Sequence, residues 1–389
     1  MEQKALTAPE DGEVPAVQYQ SCFYGFNTRG NGAGDMSSSY LSRACGERSI
    51  KIYWRKKRYM KTNLIIVEGL PGSGKSTTAA MIADELSKKG KRVICVDEGV
   101  QEHPADYADY DFPDFETERK KILEKWRSFT EKSDKDTIYV FNCIFLQNPM
   151  CETMMRFGMD DMASQNYISQ ISEIIKPLKP VIIYIDQPNV KKAIDRVIDE
   201  RGNDWLNAVI DYHTLQGYGK ENNLFGYEGY IKCLKERKIR ELKILQELDI
   251  DYYTVSQDMK AAEFSGLFDS VGWSCPAEEQ MNLAINNSTK SFIVRHKGRA
   301  VATINWLGDY SMHWFMKEFI VSREFQGQMI GTFLYRFSEN FIKSTLREKW
   351  KVCIDLRTSK GKESFYCSLG FQTMSGNEMG SGMEKMIEG

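Results

Sequence analysis

A glycine-rich segment near residue 70 has the residue types and spacing of a phosphate-binding loop. Gly69, Gly74, Lys75 and Ser76 fit the pattern G-x-x-x-x-G-K-[ST] in full, between an apolar run and a helical pattern. Glycines let consecutive backbone N–H groups turn toward phosphate oxygens, and the N-terminus of the following helix adds a positive dipole end. The segment therefore predicts a P-loop that binds ATP with Mg²⁺.

The side chains of this loop have separate predicted roles. Lys75 supplies a mobile charge to the terminal phosphates and is a predicted catalytic residue, whereas the Ser76 hydroxyl is the predicted Mg²⁺ ligand. The predicted ATP contacts run through the whole loop: Gly69, Leu70, Pro71, Gly72, Ser73, Gly74, Lys75, Ser76 and Thr77.

Acidic residues follow two of the apolar runs. Asp97 and Glu98 come where a strand is expected to end, at the edge where open α/β folds bind ligands. Either carboxylate fits catalysis, by orienting Mg²⁺-bound water or by accepting a hydroxyl proton, and the alternative of a solvated strand-end acid stays open. Asp186 also ends an apolar run, but the nearby Pro188 favours a turn.

The elements that must position these residues have the pattern of a parallel sheet. Five apolar runs, at 63–68, 92–97, 137–142, 180–185 and 251–255, are continuous rather than alternating. Such runs are typical of strands buried on both faces. Helical segments separate them, which predicts strand–helix–strand crossovers with helices on both sides of the sheet.

One of these runs and the pattern after it carry a family resemblance. Residues 178–202, LKPVIIYIDQPNVKKAIDRVIDERG, resemble the late strand and following helix of thymidylate-kinase-like and deoxynucleoside-kinase-like P-loop proteins. The resemblance implies that Arg196 and Arg201 help to bind ATP near a lid. The chain departs from those families elsewhere, with Glu152 and Arg156 as loose equivalents of an Asp-Arg pair and Lys220 in place of an arginine-rich lid.

The pattern changes after residue 262, to an α+β order with antiparallel strands first. Lys297-Gly298 is predicted to be the tip of a β-hairpin. The other expected elements are a helix at 276–286, a strand at Met312–Val321, a helix at Ile330–Lys343, a strand at Lys351–Leu356 and a short helix before Gly370.

Three stretches of this second part, 315–337, 350–358 and 360–374, resemble the GNAT acetyltransferase superfamily in order and spacing. The first resembles the acetyl-CoA motif [QR]-x-x-G-x-[GA], and the third resembles F-Y-x-x-x-G-F. The resemblance implies an acetyl-CoA site, with inward N–H groups at a helix N-terminus suited to the pyrophosphate. The implied contacts are Phe319, Ile320, Val321, Gln326, Gly327, Gln328, Met329, Ile330 and Gly331.

The resemblance also implies catalytic roles. Tyr366 is predicted to protonate the leaving thiolate as a general acid. Glu318 and Asp309 are candidate bases for the incoming amine. The alternative that either is only a strand or turn acid stays open, and it is favoured for Asp309. Met329 replaces the first glycine of the motif, which we expect to exclude a positive φ, add bulk and reduce CoA affinity.

Composition limits the remaining choices. A formal net charge of −2 and an isoelectric point near 6.2 predict no nucleic-acid or membrane partner, and the polar start of the chain predicts a cytoplasmic protein. The nine cysteines form no Cys-x-x-Cys pair, which predicts no zinc site or disulfide framework, with most thiols in the core. The predicted division is a poorly ordered leader (1–59), a kinase-like domain (60–262) and an acetyltransferase domain (263–389).

These inferences predict a bifunctional transferase. A P-loop parallel-sheet domain would use ATP and Mg²⁺, and an α+β GNAT domain would acetylate a small amine from acetyl-CoA. Two alternatives stay open: a P-loop module that binds ATP only to regulate the acetyltransferase, and a protein that binds CoA with degenerate catalysis. The substrates are expected to be small molecules.

Overall fold

The computed structural model describes residues 62–107 and 112–374. The predicted leader at 1–59 lies outside these residues. The first part of the described chain alternates strands and helices, as the apolar runs predict. Its elements are β1 (Leu64–Glu68), α1 (Lys75–Lys88), β2 (Arg92–Val96), α2 (Phe115–Lys132), β3 (Thr137–Asn142), α3 (Gln147–Met150), a π-helical turn (Cys151–Arg156), α4 (Asp161–Ile175), a 3-10 turn (Lys176–Leu178), β4 (Val181–Ile185), α5 (Val190–Thr214), α6 (Gly217–Glu221), α7 (Gly226–Glu247) and β5 (Asp251–Ser256).

The second part has the expected α+β order, with element ends that differ from the predicted ones by one or two residues. Its elements are α8 (Ala261–Val271), α9 (Glu278–Asn286), β6 (Lys290–His296), β7 (Arg299–Gly308), β8 (His313–Val321), a 3-10 turn (Arg323–Phe325), α10 (Ile330–Ser344), β9 (Cys353–Leu356) and α11 (Glu363–Ser368). The hairpin tip is confirmed: Lys297 and Gly298, with φ of 47° and 80°, connect the antiparallel strands β6 and β7.

Both parts contribute to one nine-stranded sheet in the order β2-β3-β1-β4-β5-β6-β7-β8-β9. The first five strands are parallel, β5 to β8 are joined by antiparallel pairs, and β9 lies parallel to β8. The predicted fold class, a parallel α/β part followed by an α+β part, is therefore confirmed. The predicted boundary at 262/263 falls inside α8 and stays a prediction.

The strands of the first part do not all have the burial that the sequence predicts. β1 and β4 are buried along their whole length, as continuous apolar runs predict. β2 is different: Ile94 is 41% exposed and Cys95 is also exposed. The expectation of burial on both faces is wrong for β2, because it is the edge strand and has a neighbouring strand on one side only.

The core on one face of the sheet continues from the first part into the second. Side chains of β1 and α1 share one apolar cluster with β7, β8 and α10, where Trp306 and Trp314 are fully buried. Fully buried Trp126 belongs to a second cluster, formed with β1, β3, α2 and α4. The two parts therefore share a packed core at their junction. This agrees with the β5–β6 pairing, which joins their strands into one sheet with common faces to cover.

The cysteines of the described chain are less buried than predicted. Cys143 and Cys233 are buried, but Cys95, Cys275, Cys353 and Cys367 are exposed. The expectation that most thiols lie in the core is wrong for these residues, because β2, β9 and α11 expose the faces that carry them. Within the described residues, no helix is both long and apolar enough to cross a bilayer.

Candidate functional site

The loop between β1 and α1 has the shape of an anion cradle. Gly72 has φ 73°, and a Cβ atom there would lie 2.6 Å from Val197 Cγ2 and 2.8 Å from Ala193 O. Gly74 caps α1 in the left-handed conformation, with φ 88°. Only glycine fits such a close approach at positive φ, so the loop backbone is free to face a phosphate.

Lys75 is held at the base of this loop and is only 7% exposed. Its Nζ atom lies 4.0 Å from Glu98 Oε1. Burial by itself disfavours the charged form of Lys75, but the neighbouring acidic groups of Cys143 and Glu98 outweigh it and raise the pKa of the lysine above its ordinary value. The side chain is therefore cationic at neutral pH, as a contact to terminal phosphates requires.

The predicted metal ligand Ser76 lies beside a strand-end acid. Asn142, the last residue of β3, donates from Nδ2 to Ser76 Oγ at 2.9 Å and also to Asp97 Oδ1. A serine hydroxyl and a carboxylate held together are hard oxygen donors of the kind Mg²⁺ prefers. Asn142 Oδ1 is buried without a partner in the described chain, a further oxygen at this point. The residues present therefore fit a Mg²⁺ ion.

Glu98 lies in a different environment from Asp97. Its Oε2 accepts a hydrogen bond of 2.5 Å from Gln147 Nε2, and its Oε1 faces Lys75. Asp97 is exposed, whereas Glu98 is half-buried. The two adjacent acids therefore have separate positions, Asp97 beside the hydroxyl that would hold the metal and Glu98 beside the lysine.

A buried ionic network beneath the loop contains residues that the sequence analysis missed. Arg237, 2% exposed, donates from Nε to Glu241 Oε1 at 2.6 Å, and Tyr184 OH donates to Glu241 Oε2 at 2.7 Å. Arg237 Nη2 also lies 3.4 Å from Gln147 Oε1. These hydrogen bonds connect Arg237 through Gln147 to Glu98. The only sequence signal was an arginine and a glutamate four apart on a helix, which normally indicates a surface pair.

Glu68, directly before the loop, is fully buried. Its Oε1 accepts hydrogen bonds of 2.8 Å from the N–H groups of Phe145 and Leu146, and its Oε2 is buried without a partner in the described chain. Burial, followed by the charge of Glu241, raises the pKa of Glu68 to about 7. The carboxyl group therefore titrates near neutral pH.

Arg196 and Arg201 are exposed on α5. This helix contacts the P-loop through Ala193 and Val197, and Arg201 lies one turn further along. The Arg201 guanidinium lies 5.5 Å from the centre of the Trp205 ring. Gly202 interrupts the helix at φ 81°, in agreement with the predicted helix that ends in Arg-Gly. Their ATP contacts stay a prediction.

The other kinase-like positions form structural contacts. Glu152 and Arg156 pair with each other at 3.2 Å, and Arg156 Nη2 donates to Phe112 O at 2.6 Å. Lys220 is exposed on α6. Asp186 directly follows β4, donates its backbone N–H to Val255 O of β5 at 2.9 Å and pairs with Lys238 at 2.5 Å. Its turn role stays a prediction.

The first and third acetyltransferase-like stretches of the second part meet at Gly331. A methyl group placed on Gly331 would lie 3.3 Å from Phe365 Cζ, 3.4 Å from Val321 Cγ2 and 3.7 Å from Phe319 Cζ. Tyr366 lies beside this point, with its ring centroid 6.4 Å from that of Phe319. Burial raises the pKa of Tyr366, so the phenol keeps its proton at neutral pH.

β8 separates from β9 where the acetyl-CoA motif begins. Their pairing runs from His313–Cys353 to Met316–Leu356 and stops there, five residues before β8 ends at Val321. The last part of β8 therefore has backbone groups facing away from β7 that no β9 pairing occupies. Two of the predicted CoA contacts have buried side chains, Ile320 in the cluster with α8 and Ile330 in the cluster with α1.

A bulge in β8 directs a carboxylate to the same region. Thr303 pairs with Ile320 and Asn305 with Lys317, so Glu318 and Phe319 stand opposite a single residue of β7. Glu318 adopts φ 38°, and burial raises its pKa. Asp309, by contrast, accepts backbone N–H groups from Ser311, Met312 and His313, so the favoured turn role is confirmed.

The loop before α10 has the expected shape, with one correction. Met329 caps α10 with φ 68° and ψ −2°, so the expectation that methionine excludes a positive φ is wrong. Its side chain is packed against the core on the α1 side, which offsets the cost of a left-handed conformation. Gln326 Nε2 donates to Val321 O at 2.8 Å, and Gln328 Nε2 donates to Glu324 O at 2.8 Å. Both side chains stabilise the loop through these hydrogen bonds to its backbone. The first N–H groups of α10, which have no acceptor within the helix, can then bind an anion.

Comparison with protein families finds one match on the P-loop side. Residues 62–137 match the family described as "Chromatin associated protein KTI12", a family of P-loop kinase-like proteins. The match covers β1, the P-loop, α1 and β2, in agreement with the predicted P-loop kinase-like resemblance. A comparison with curated proteins found no significant match.

Solved structures similar to this chain are acetyltransferases. A GNAT-family acetyltransferase from Streptococcus pneumoniae is 22% identical, covering 36% of this chain and all (100%) of that one, with a TM-score of 0.30. An acetyltransferase from Trypanosoma brucei is 13% identical, covering 35% and 99%, with a TM-score of 0.29. Glucosamine-6-phosphate N-acetyltransferase from Arabidopsis thaliana is 13% identical, covering 35% and 99%, with a TM-score of 0.28. The chain is similar to the KTI12 family over residues 62–137 and to solved GNAT acetyltransferases over 35–36% of its length. The sequence predicts a P-loop kinase-like part and a GNAT-like part, but not the KTI12 family itself.

Proposed function

We propose that this chain is a bifunctional transferase whose second part acetylates a small amine from acetyl-CoA. The observation that carries the proposal is the meeting of Gly331, Phe319, Val321 and Phe365 at the point where β8 leaves β9. Unpaired strand groups suit an extended amide chain such as pantetheine, and the N-terminus of α10 suits a pyrophosphate.

The side chains at this point supply the proton transfers of acetyl transfer. The raised pKa of Glu318 makes its ionised form a stronger base, which can take a proton from the amine as nitrogen bonds to the thioester carbon. Tyr366 donates its phenolic proton to the sulfur as the carbon–sulfur bond breaks. Solvent then returns a proton to Tyr366 and removes one from Glu318. No covalent enzyme intermediate is needed, since the amine attacks the thioester directly.

The first part is proposed to bind ATP and to transfer its terminal phosphoryl group to a small hydroxylated or phosphorylated acceptor. The loop backbone and Lys75 would hold the phosphates, with Ser76 and Asp97 as the oxygen donors for the metal. Mg²⁺, when bound, neutralises charge on the terminal phosphates. Glu98, beside Lys75, is the proposed acceptor of the hydroxyl proton.

One experiment tests both activities in the full chain. The protein is incubated with ATP, Mg²⁺, acetyl-CoA and a pool of small metabolites, and acetylated and phosphorylated products are identified by mass spectrometry. Tyr366→Phe keeps the ring and its packing, so CoA binding should persist while acetyl transfer falls about 10²–10⁴-fold. Lys75→Ala should weaken ATP binding by roughly 2–4 kcal/mol and leave acetyl transfer intact.

Each variant is the control for the other site. An unchanged acetylation rate in Tyr366→Phe would remove the acid role from this residue. Unaltered ATP affinity in Lys75→Ala, measured by calorimetry, would contradict the P-loop assignment. Product formation by neither part, with both ligands bound, would favour the alternative of a CoA-binding protein with degenerate catalysis.

A second candidate function, regulation of the acetyltransferase by ATP, is favoured by one contact. α1 begins at the P-loop, and near its other end Glu85 accepts a hydrogen bond of 3.0 Å from Arg336 of α10. A cavity of about 80 Å³ lies between the two helices, lined by Met81 and Leu86 on one side and Met329 on the other. α1 therefore reaches from the ATP loop to the CoA loop.

The two candidates differ in what ATP does to the acetylation rate. A regulatory module would change that rate with a nonhydrolysable ATP analogue, with no phosphorylated product, and the change would disappear in Lys75→Ala. A kinase-like transferase would give a phosphorylated product, and the analogue would leave the acetylation rate unchanged.

A further inference from the structure

Three side chains with metal-binding atoms lie together on the exposed face of β8 and β9. His313 and Cys353 are directly paired across the two strands, and Asp355 is two residues further along β9. Side chains two apart in a strand share a face, so all three point to the same side. Their ligand atoms lie within 4.8 Å of one another. Trp314, the neighbour of His313, is fully buried on the opposite face.

The distances among these atoms are those of a metal coordination shell. His313 Nδ1 lies 3.6 Å from Asp355 Oδ2, and Cys353 Sγ lies 3.5 Å from Asp355 Oδ1. The nitrogen–oxygen distance exceeds the range of about 2.7–3.2 Å for a good hydrogen bond. Ligands of a tetrahedral ion at bond lengths of about 2.0–2.3 Å are separated by roughly 3.3–3.8 Å. The two contacts of Asp355 fall in that range, although they are made by different carboxylate oxygens, and one ligand atom from each residue lies within 4.8 Å of the others.

The backbone that carries these residues is fixed independently of any ion. Cys353 N donates to Met312 O at 2.8 Å, which sets the register of β9 against the start of β8. Asp309 Oδ1 accepts the N–H groups of Met312 and His313 at 2.8 and 3.1 Å, which holds the preceding loop. The three ligands are therefore brought together by the fold before a metal binds, which lowers the ordering cost of binding.

We propose that His313, Cys353 and Asp355 form a binding site for a divalent transition metal of the zinc class. One thiolate, one imidazole and one carboxylate are a soft-to-borderline set that selects Zn²⁺ over Mg²⁺ and Ca²⁺, which require several oxygen ligands. Since all three side chains are at least partly exposed, water completes the fourth position. The ion would join β8 to β9 at the end where they pair, about 26 Å along β8 from Val321.

The first test uses Co²⁺ alone as a spectroscopic probe of the reduced, full-length chain. The parent protein should develop a thiolate-to-cobalt charge-transfer band in the near ultraviolet that saturates at about one equivalent, as a single tetrahedral site requires. Cys353→Ser should abolish the band, because the thiolate is removed. Cys367→Ser, a second exposed thiol without His or Asp ligands around it, is the matched control and should keep it.

The second test measures protection of the thiol and needs no enzymatic activity. Zn²⁺ should slow the alkylation of Cys353, read peptide by peptide by mass spectrometry, and should leave Cys367 unaffected; Mg²⁺ should protect neither. His313→Ala should raise the Zn²⁺ concentration needed for protection at least about tenfold. A cobalt band that survives in Cys353→Ser, or equal protection of the two cysteines, would overturn the proposal. So would Zn²⁺ protection of Cys353 that is unchanged in His313→Ala.

Discussion

Glu68→Gln is the substitution whose effect on stability depends most directly on pH. The amide has nearly the shape of the carboxyl group, and its oxygen can still accept the N–H groups of Phe145 and Leu146. Its NH₂ group replaces the buried Oε2 atom that has no partner in the described chain. The variant therefore removes the ionisation of Glu68 and little else.

The sign of the effect follows from the direction of the pKa shift. Burial raises the pKa of Glu68 from 4.5 to about 7, so the folded protein holds this proton more tightly than the unfolded chain. The stabilising contribution is complete below pH 4.5 and is lost as the pH rises through 7. A rise from 4.5 to about 7 corresponds to about 3 kcal/mol in total, most of which falls between pH 5 and pH 8.5.

The assay is urea unfolding of the parent protein and Glu68→Gln at pH 5 and pH 8.5. The free energy of unfolding of the variant relative to the parent should increase by about 2–3 kcal/mol from the lower to the higher pH. Asp106 and Glu118, whose pKa values burial raises to about 6 and about 8, are present in both proteins and cancel in this difference. Glu131→Gln, at an exposed acid on α2, is the control and should show no such increase. An equal difference at the two pH values would refute the reasoning.

Two further predictions concern the two proposed sites. Gly72→Ala places a methyl group 2.6 Å from Val197 Cγ2 at φ 73° and should lower the free energy of unfolding by about 2–4 kcal/mol. Gly74→Ala, at φ 88° with no atom within 4 Å, should lower it by only about 1 kcal/mol. Both are measured by thermal unfolding, and similar midpoints for the two variants would show that the loop shifts to accommodate the methyl group. Glu318→Gln should lower the rate of acetyl transfer by about 10²–10⁴-fold without changing CoA affinity. The rate of the parent protein should fall as the pH drops through the raised pKa of Glu318, because the protonated acid accepts no proton. An unchanged rate in the variant would assign the base role to another group.

The parts of this protein that sequence reasoning predicts are those with local causes. The P-loop depends on a few consecutive residues whose glycines and lysine have no other common use. The hairpin at Lys297-Gly298 depends on a two-residue turn that needs positive φ. The parallel direction of the strands in a crossover sheet follows from alternating strands and helices. Each of these features is determined within a few tens of residues, so a single sequence contains enough information.

The parts that sequence reasoning misses have causes far apart in the chain. Asn142 has the sequence context of an ordinary strand end. Only the pairing of β3 with β1 and with β2 brings it to Ser76 and Asp97. The charge-rich helix around Arg237 indicates a surface position for this residue, but the fold buries it in an ion pair with Glu241. Met329 adopts the left-handed conformation that its type disfavours, because tertiary packing outweighs a local preference. Cys353 and His313 are 40 positions apart, and local spacing gave no indication of their pairing.

The direction of the strands determines how the two proposed sites can communicate. β8 follows three antiparallel steps from β5, so it runs opposite to β1, and the loops that follow β1 and β8 lie at opposite edges of the sheet. A product released at the P-loop therefore has no direct route to the acetyl-CoA loop across the molecule. α1 does connect the two edges, since its 14 residues extend about 21 Å and the contact of Glu85 with Arg336 lies about 15 Å along it from the P-loop. Coupling between the sites, where it exists, must therefore pass through this helix and the shared core rather than through a transferred substrate.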